Sequence, residues 1–487
     1  MPNGLAYLAL LLWPLACLAL FRRTSVERAL IWSLLGGYLL LPPVANFNLP
    51  LLPSFDKTII PSLSAAFILA AVLGRKLALL PQNRLARLLV AIFVLSAIPT
   101  VLTNMEPTVF TVLPGSEPII FKAWELPGLS IRDVISVLGN QILALLPFLL
   151  ARQFLATETG MREILIALLI AGLVYSVPSL IEIRLSPQIN VWVYGFFQHE
   201  FAQTIRQDGF RPIVFLPHSL WLAFFVMSTV LAAAALARGA DAAQRPRLVL
   251  AMLYLIALLY LSKSLASLAY GLSMAPLVFF AGTRVQIGVA VAFALIATIY
   301  PLLRGGGYVP VDELLGWASA ISPERAASLA YRFDNETLLL ERAAEKPWFG
   351  WGGWSRNLLL DSESGEILTI PDGRWIIAFG TYGWLGYVSE FGLLSLPILL
   401  LGVESFRLRE GGLSRPVAAI ALILAINMID MLLNATLTPI TWMLAGAVLG
   451  HAELRRAARR ADDAGAALRI NPVIGGLAAP SGPRTRL

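Results

Sequence analysis

Apolar runs of roughly 20 residues recur along the whole chain, separated mostly by short polar connections. A run of that length crosses a bilayer core of about 30 Å as a helix, and a helix meets its own backbone hydrogen bonds there. The pattern predicts thirteen helices, at roughly 4–21, 29–47, 57–74, 86–104, 132–151, 162–182, 211–236, 247–262, 264–282, 285–303, 375–403, 416–433 and 436–452. Twelve spans result if the first run is peripheral. No strands of alternating polarity suggest an outer-membrane barrel. The expected class is an all-α polytopic membrane protein.

Cations test the count. They collect in every second short connection: Arg22, Arg23 and Arg28; Arg75, Lys76, Arg84 and Arg87; Arg152 and Arg162; Arg238, Arg245 and Arg247; Arg284; Arg407, Arg409 and Arg415. The segment after the last span adds Arg455, Arg456, Arg459 and Arg460. The intervening short connections are nearly free of positive charge, so the positive-inside rule gives an outside N-terminus and an inside C-terminus. The resulting organisation is a bundle over 1–303 with outer loops at 105–131 and 183–210, a large outer loop at 304–374, and helices over 375–452. A tail at 453–487 is expected to be cytoplasmic and disordered beyond about 461. The 105–131 connection is Pro-rich, 183–210 reads as an interfacial segment, and the large loop carries helical stretches near 310–318 and 323–346.

Composition agrees: 57% of residues are apolar, 14% are charged and the mean hydropathy is +0.74. The net charge of +7 follows from topology, so no nucleic acid is expected as partner. Cys17 is the only cysteine, which excludes an intrachain disulfide and any Cys-based metal cluster. The first run has neither a basic leader nor a small-residue cleavage site, so no cleavable signal is expected.

Cations on the outer side run against the bias and ask for a reason. Arg211 opens a span, with His218 two turns deeper on what reads as the same helix. Lys263 sits between two apolar runs with almost no loop. Arg332, Arg342, Lys346 and Arg356 lie in the large loop, and Arg374 just before the next span. Each alone could be a snorkelling side chain. Together they suit an anionic ligand held in the membrane, because guanidinium forks bind phosphate oxygens and strengthen out of water. A polyprenyl diphosphate has both the tail and the phosphates. Fixed cations can stabilise a diphosphate leaving group without a metal, and the chain has no Asp-x-Asp pair for one. No cofactor is expected. His199 reads as a headgroup or sugar contact and His451 as structural. Glu390 and Asp430 lie within spans, where each would partner an outer-side Arg.

In order and spacing, residues 205–395 resemble the O-antigen ligase and polymerase superfamily, multispanning enzymes that move oligosaccharides from undecaprenyl diphosphate. The similar features are Phe210-Arg-Pro-Ile-Val-Phe-Leu-Pro-His218, the step Ser262-Lys-Ser264, and Arg332 to Arg342 followed by Pro347-Trp-Phe-Gly-Trp-Gly-Gly353. Asp372-Gly-Arg-Trp375 before Gly383-Trp-Leu-Gly386 completes the series. Lys263 stands where the family has Arg, and Asp372 where ligases carry the His that activates the acceptor.

The resemblance implies an inner-membrane, metal-independent glycosyltransferase with its site facing the periplasm. Its partners would be an undecaprenyl-diphosphate-linked oligosaccharide, the lipid bilayer and a chain-length regulator protein. Arg211, Arg332 and Lys263 would hold the diphosphate, Arg342 or Arg374 would assist, His218 and His199 would contact substrate, and Asp372 would activate the acceptor hydroxyl. The loss of the His leans toward a polysaccharide polymerase. A ligase transferring to a lipid core or protein is the alternative, and a transporter or export-complex scaffold the rival from another class.

Overall fold

A computed structural model describes residues 1–48, 53–110, 124–206, 209–407 and 413–470. The chain is mostly helical, and every run predicted to span folds as a helix. Among the described residues, seven helices are long and apolar enough to cross a membrane. They are α1 (Gly4–Arg23), the Arg84–Leu102 stretch, α6 (Ile131–Phe154), α7 (Glu158–Leu185), α9 (Ser219–Gly239), α12 (Thr283–Gly305) and α15 (Arg374–Arg407). The Arg84–Leu102 stretch divides into α4 (Arg84–Leu95) and α5 (Ala97–Leu102).

The remaining runs give shorter helices or helices of more mixed polarity. These are α2 (Val26–Leu40), α3 (Ile60–Phe67, extended by a π turn to Val72), α10 (Arg245–Leu261), α11 (Leu265–Phe280), α16 (Arg415–Asp430) and α17 (Pro439–Ile470). Helix α16 is apolar all round and almost wholly buried, as a helix at the centre of a bundle must be. It packs on α12, α9, α7 and α17, and α17 lies along α6. Gly446 and Gly450 bring the α17 backbone against the carbonyls of Phe148 and Arg152, leaving no space for a Cβ.

Three differences from the sequence pattern matter. The run beginning at 211 does not become helical until Ser219, because two prolines, Pro212 and Pro217, interrupt it. Arg211 and His218 therefore do not share a helix. Second, α17 continues to Ile470 through an Ala- and Arg-rich stretch of good helix formers, into what reads as a tail. Residues 471–487 lie outside the described residues, as does 111–123 of the 105–131 connection. Third, α15 is two helical segments broken at Gly383, whose φ is +63°.

That break explains the glycine-rich motif upstream of it. The turn Pro347 to Gly353 crosses α15 at the break and pairs with its freed backbone groups. Trp384 N donates to the Pro347 carbonyl (2.7 Å), Trp351 N to the Gly380 carbonyl (2.9 Å) and Gly352 N to the Thr381 carbonyl (2.9 Å). A Cβ on Gly383 would lie 2.4 Å from the Trp348 carbonyl carbon, and one on Gly350 the same distance from that of Thr381. Between α12 and α15 lie α13 (Val311–Ile321) and α14 (Pro323–Ala344), close to the two stretches read as helical. Glu336 docks α14, accepting from Trp375 Nε1 (3.1 Å), Tyr300 Oη (3.3 Å) and Arg304 Nε (3.4 Å).

Candidate functional site

A short hairpin precedes α9: β3 (Ile205–Arg206) pairs antiparallel with β4 (Gly209–Phe210), and the turn residues 207–208 lie outside the described residues. From it runs the non-helical segment Arg211 to His218, which side chains from three directions hold in place. The Glu182 carboxylate, at the end of α7, accepts from Ile213 N (2.7 Å) and Val214 N (2.8 Å) through one oxygen, and from Ile189 N (3.1 Å) through the other. Gln198 Nε2 donates to the Val214 and Leu216 carbonyls (2.9 and 3.0 Å), and Lys57 Nζ to the Phe215 carbonyl (2.8 Å). Tyr175 Oη accepts from Phe215 N (3.1 Å). At the centre of this cradle Val214 sits at φ +55°, a conformation a β-branched residue adopts only under constraint.

The cradle presents Arg211. Its backbone N donates to the Thr204 carbonyl (2.8 Å), and the residue is 4% exposed. Nε and Nη2 are buried and have no hydrogen-bond partner among the described residues. Burial, then the neighbouring Arg206, Arg332 and Arg325, push its pKa down to about 9. A buried guanidinium is costly unless paired. The charges around this one are of the same sign, and an anion relieves both penalties.

Arg332, on α14, donates from Nη1 to Asn434 Oδ1 (3.0 Å) and to the Leu433 carbonyl (3.1 Å), while its Nε lies 3.5 Å from Asp372 Oδ2. Asn434 in turn donates to Asp430 Oδ1 (3.0 Å), and Thr436 Oγ1 to Asp430 Oδ2 (2.8 Å). Asp430 thus braces Arg332 through an asparagine rather than pairing with it. Burial raises the Asp372 pKa, against the opposing pull of Arg332, and its side chain is 36% exposed.

His218 caps α9, its Nδ1 accepting from Leu220 N (3.0 Å), which leaves the proton of the neutral ring on Nε2. Its ring packs edge-on against that of His199 at 4.4 Å, and His199 Nε2 lies 2.9 Å from Gln203 Oε1. Burial, then His199, Arg211, Arg332 and Arg206, push His218 down to about 3, so it is a neutral donor at physiological pH.

Among the sequence-derived candidates, Arg211, Arg332, Asp372, His218 and His199 therefore come together. Lys263 borders the group but faces the hairpin backbone: its Nζ donates to the Arg206 carbonyl (2.6 Å). Two candidates have their side chains engaged otherwise. Arg374 holds Glu390 with both arms of its fork, Nε to Oε1 at 2.7 Å and Nη2 to Oε2, so its expected phosphate role is replaced by an internal ion pair. Arg342 lies ten residues along α14 from Arg332, about 15 Å of helix rise. It stacks 3.3 Å over the Trp351 ring and pairs with Glu345 at 2.7 Å, in the group that bolts the 347–353 turn to the 100–129 connection. Lys346 Nζ donates there to Asn104 Oδ1 (2.7 Å), and Arg356 to the carbonyls of Pro127 and Glu106 (both 2.8 Å).

Two further cations join the cluster. Arg206, on β3, has its pKa lowered by burial and then by Arg325 and Arg332, with Glu324 opposing. Arg325 lies in the first turns of α14. The same outer-side charge argument that selected Arg211 applies to both. Their sequence neighbourhoods, an interfacial segment and an ordinary charged helix, carry no other signal. The arrangement is four guanidiniums and two imidazoles, with Asp372 beside Arg332 and Glu324 acting on Arg206. No family model and no characterised protein matches the sequence.

Proposed function

We propose that this protein is a glycosyltransferase acting on a glycan carried by a polyprenyl diphosphate, and that it works as a polymerase of a surface or secreted polysaccharide. It would be a multi-pass inner-membrane enzyme of 12–13 spans, with the arginine cluster and the 304–374 loop on the periplasmic side. The reading rests on the Arg211 guanidinium: buried, unpartnered among the described residues, and surrounded by Arg206, Arg325 and Arg332. Such a group calls for a multiply charged anion, and its place beside an apolar bundle calls for one on a lipid.

In this reaction the acceptor sugar hydroxyl attacks the anomeric carbon of the donor glycan as the bond to the diphosphate oxygen breaks. The hydroxyl proton passes to Asp372, whose raised pKa improves it as a base. The electron pair of the broken bond leaves on the diphosphate, and the guanidiniums of Arg211 and Arg332 take up that charge. Neutral His218 donates a hydrogen bond without adding a proton to the reaction. A single displacement inverts the anomeric centre.

The test is the size distribution of the cell's polysaccharide in a deletion strain rescued with wild type, Arg211→Ala or Asp372→Asn. Loss of long chains, with single repeats left on lipid and no rescue by either variant, is the expected result. Normal chain lengths in the deletion strain would refute polymerisation. Long chains stranded on the lipid would instead indicate transfer to a final acceptor.

A further inference from the structure

The Arg84–Leu102 stretch and α15 each have one end on the side that carries the arginine cluster. The first reaches it through Thr100 of α5, which donates to the Phe349 carbonyl of the 347–353 turn, and the second through Asp372 just before its start. Their other ends, with the middle of α17 between Ala452 and Arg460, line a cavity of about 680 Å³ on the opposite face. Its walls carry Arg84, Arg407, Arg456, Arg459 and Arg460. The last three stand at i, i+3 and i+4 on α17 and so share one face of the helix.

Both carboxylates in the walls are engaged. Glu404 accepts from Arg459 Nη1 with both oxygens at 2.7 Å. Glu453 accepts from Arg152 Nη1 (3.0 Å) and from the backbone N of Asn83 (2.8 Å). Arg84, Arg407, Arg456 and Arg460 have no carboxylate partner among the described residues. The first turn of α4, capped by the Asn83 side chain on Leu85 N and Ala86 N, forms part of the same wall.

One wall is apolar and continues outward. Leu85 and Val403 line the cavity and are 50% and 47% exposed, and Leu88, one turn further along α4 away from Arg84, is 55% exposed. In a multi-pass protein that surface faces acyl chains. The positive-inside bias accounts for basic residues on this face. It does not require them to converge on one concavity that opens onto a lipid-facing wall, or to outnumber carboxylates that are already paired.

We infer that this cavity binds the phosphate headgroup of an anionic phospholipid, with its acyl chains along α4 and α15. The ligand is distinct from the substrate proposed above, and the site lies at the far end of the same helices.

The test uses the full chain in detergent. Retained lipid is counted by native mass spectrometry after titration with phosphatidylglycerol or phosphatidylcholine, and thermal unfolding is followed with each lipid and with inorganic phosphate alone. Phosphatidylglycerol should be retained well above phosphatidylcholine. The double change Arg456→Gln with Arg460→Gln should weaken that retention roughly tenfold. Both residues are exposed, so the fold should survive; Arg84→Gln provides an independent variant on another helix. Arg22→Gln with Arg23→Gln, a basic pair on the same face outside the cavity, should leave retention unchanged. Equal loss in the two double variants, or equal retention of the two lipids, would overturn the site. Stabilisation by inorganic phosphate matching that by phosphatidylglycerol would overturn the lipid assignment in favour of free phosphate.

Discussion

The cradle around Val214 makes Glu182 the side chain on which the position of Arg211 most depends. Its carboxylate is 1% exposed and meets three backbone N–H groups at 2.7, 2.8 and 3.1 Å. In Glu182→Gln the amide oxygen can keep the bonds to Ile213 and Val214, but the amide nitrogen then faces the N–H of Ile189. One buried donor is left unmet, at a cost of about 1–3 kcal/mol. In Glu182→Ala all three are unmet, about 3 kcal/mol at the least, and only the Gln198, Lys57 and Tyr175 bonds then oppose relaxation of Val214 from φ +55°. The segment should relax toward ordinary β geometry, and Arg211, three residues upstream, should leave its place.

The assay pairs thermal unfolding in detergent with binding of a polyprenyl diphosphate. Glu182→Gln should lower the unfolding temperature moderately and retain binding; Glu182→Ala should lose binding by at least about tenfold in protein that is still folded. Val214→Gly separates strain from support, since glycine adopts this φ freely. The released strain of about 1–3 kcal/mol should offset the entropy glycine adds to the unfolded chain, leaving stability unchanged or slightly raised. If Glu182→Ala matched wild type in both stability and binding, the cradle would not be what positions Arg211.

Two further outcomes concern the supports around the site. Arg374→Ala should destabilise the protein by about 3–5 kcal/mol because it leaves Glu390, 1% exposed, as an uncompensated charge. Arg374→Met with Glu390→Met should recover most of that in thermal unfolding; failure to recover would mean Arg374 has a partner beyond Glu390. Glu336, which anchors α14, is pushed up to about 7 by burial, so its carboxyl is held above its unfolded value. Its contribution is therefore fully present below about pH 4.5 and is lost as pH rises toward 7, a change of at most about 3 kcal/mol. Glu336→Gln should flatten that part of the unfolding profile against pH, and an unchanged slope would contradict the assignment.

The helices were legible because hydropathy acts residue by residue: each of the thirteen apolar runs is helical, the one at 86–104 divided into α4 and α5, and the polar loop stretches give α13 and α14 besides. Where the structure departs from the pattern, a local breaker is the reason. Pro212 and Pro217 keep 211–218 out of α9, and it is that departure from helix that lets Arg211 meet Arg332. The cluster was half legible. The charge pattern points to Arg211 and Arg332 and the family resemblance to Asp372, and in the fold Arg332 lies near both of the others.

Which cations converge, however, depends on how segments cross in space. Arg206 and Arg325 belong by virtue of a hairpin and a helix start that no periodicity brings together. Arg374, a candidate phosphate ligand by sequence, instead pairs with Glu390 sixteen residues further on the same broken helix; hydropathy marks Glu390 as an acid in need of a partner but does not say which Arg supplies it. Glu182 gave no signal beyond being an acid near a span's end, because its partners are all backbone groups.

The most direct test of the central claim is the affinity of the purified protein for undecaprenyl diphosphate, in wild type and in Arg211→Gln, Arg332→Gln and Arg342→Gln. Binding weakened by at least about tenfold in the first two, and unchanged in the third, is what the geometry of the cluster predicts. Equal affinity in wild type and Arg211→Gln, with both proteins folded, would contradict it.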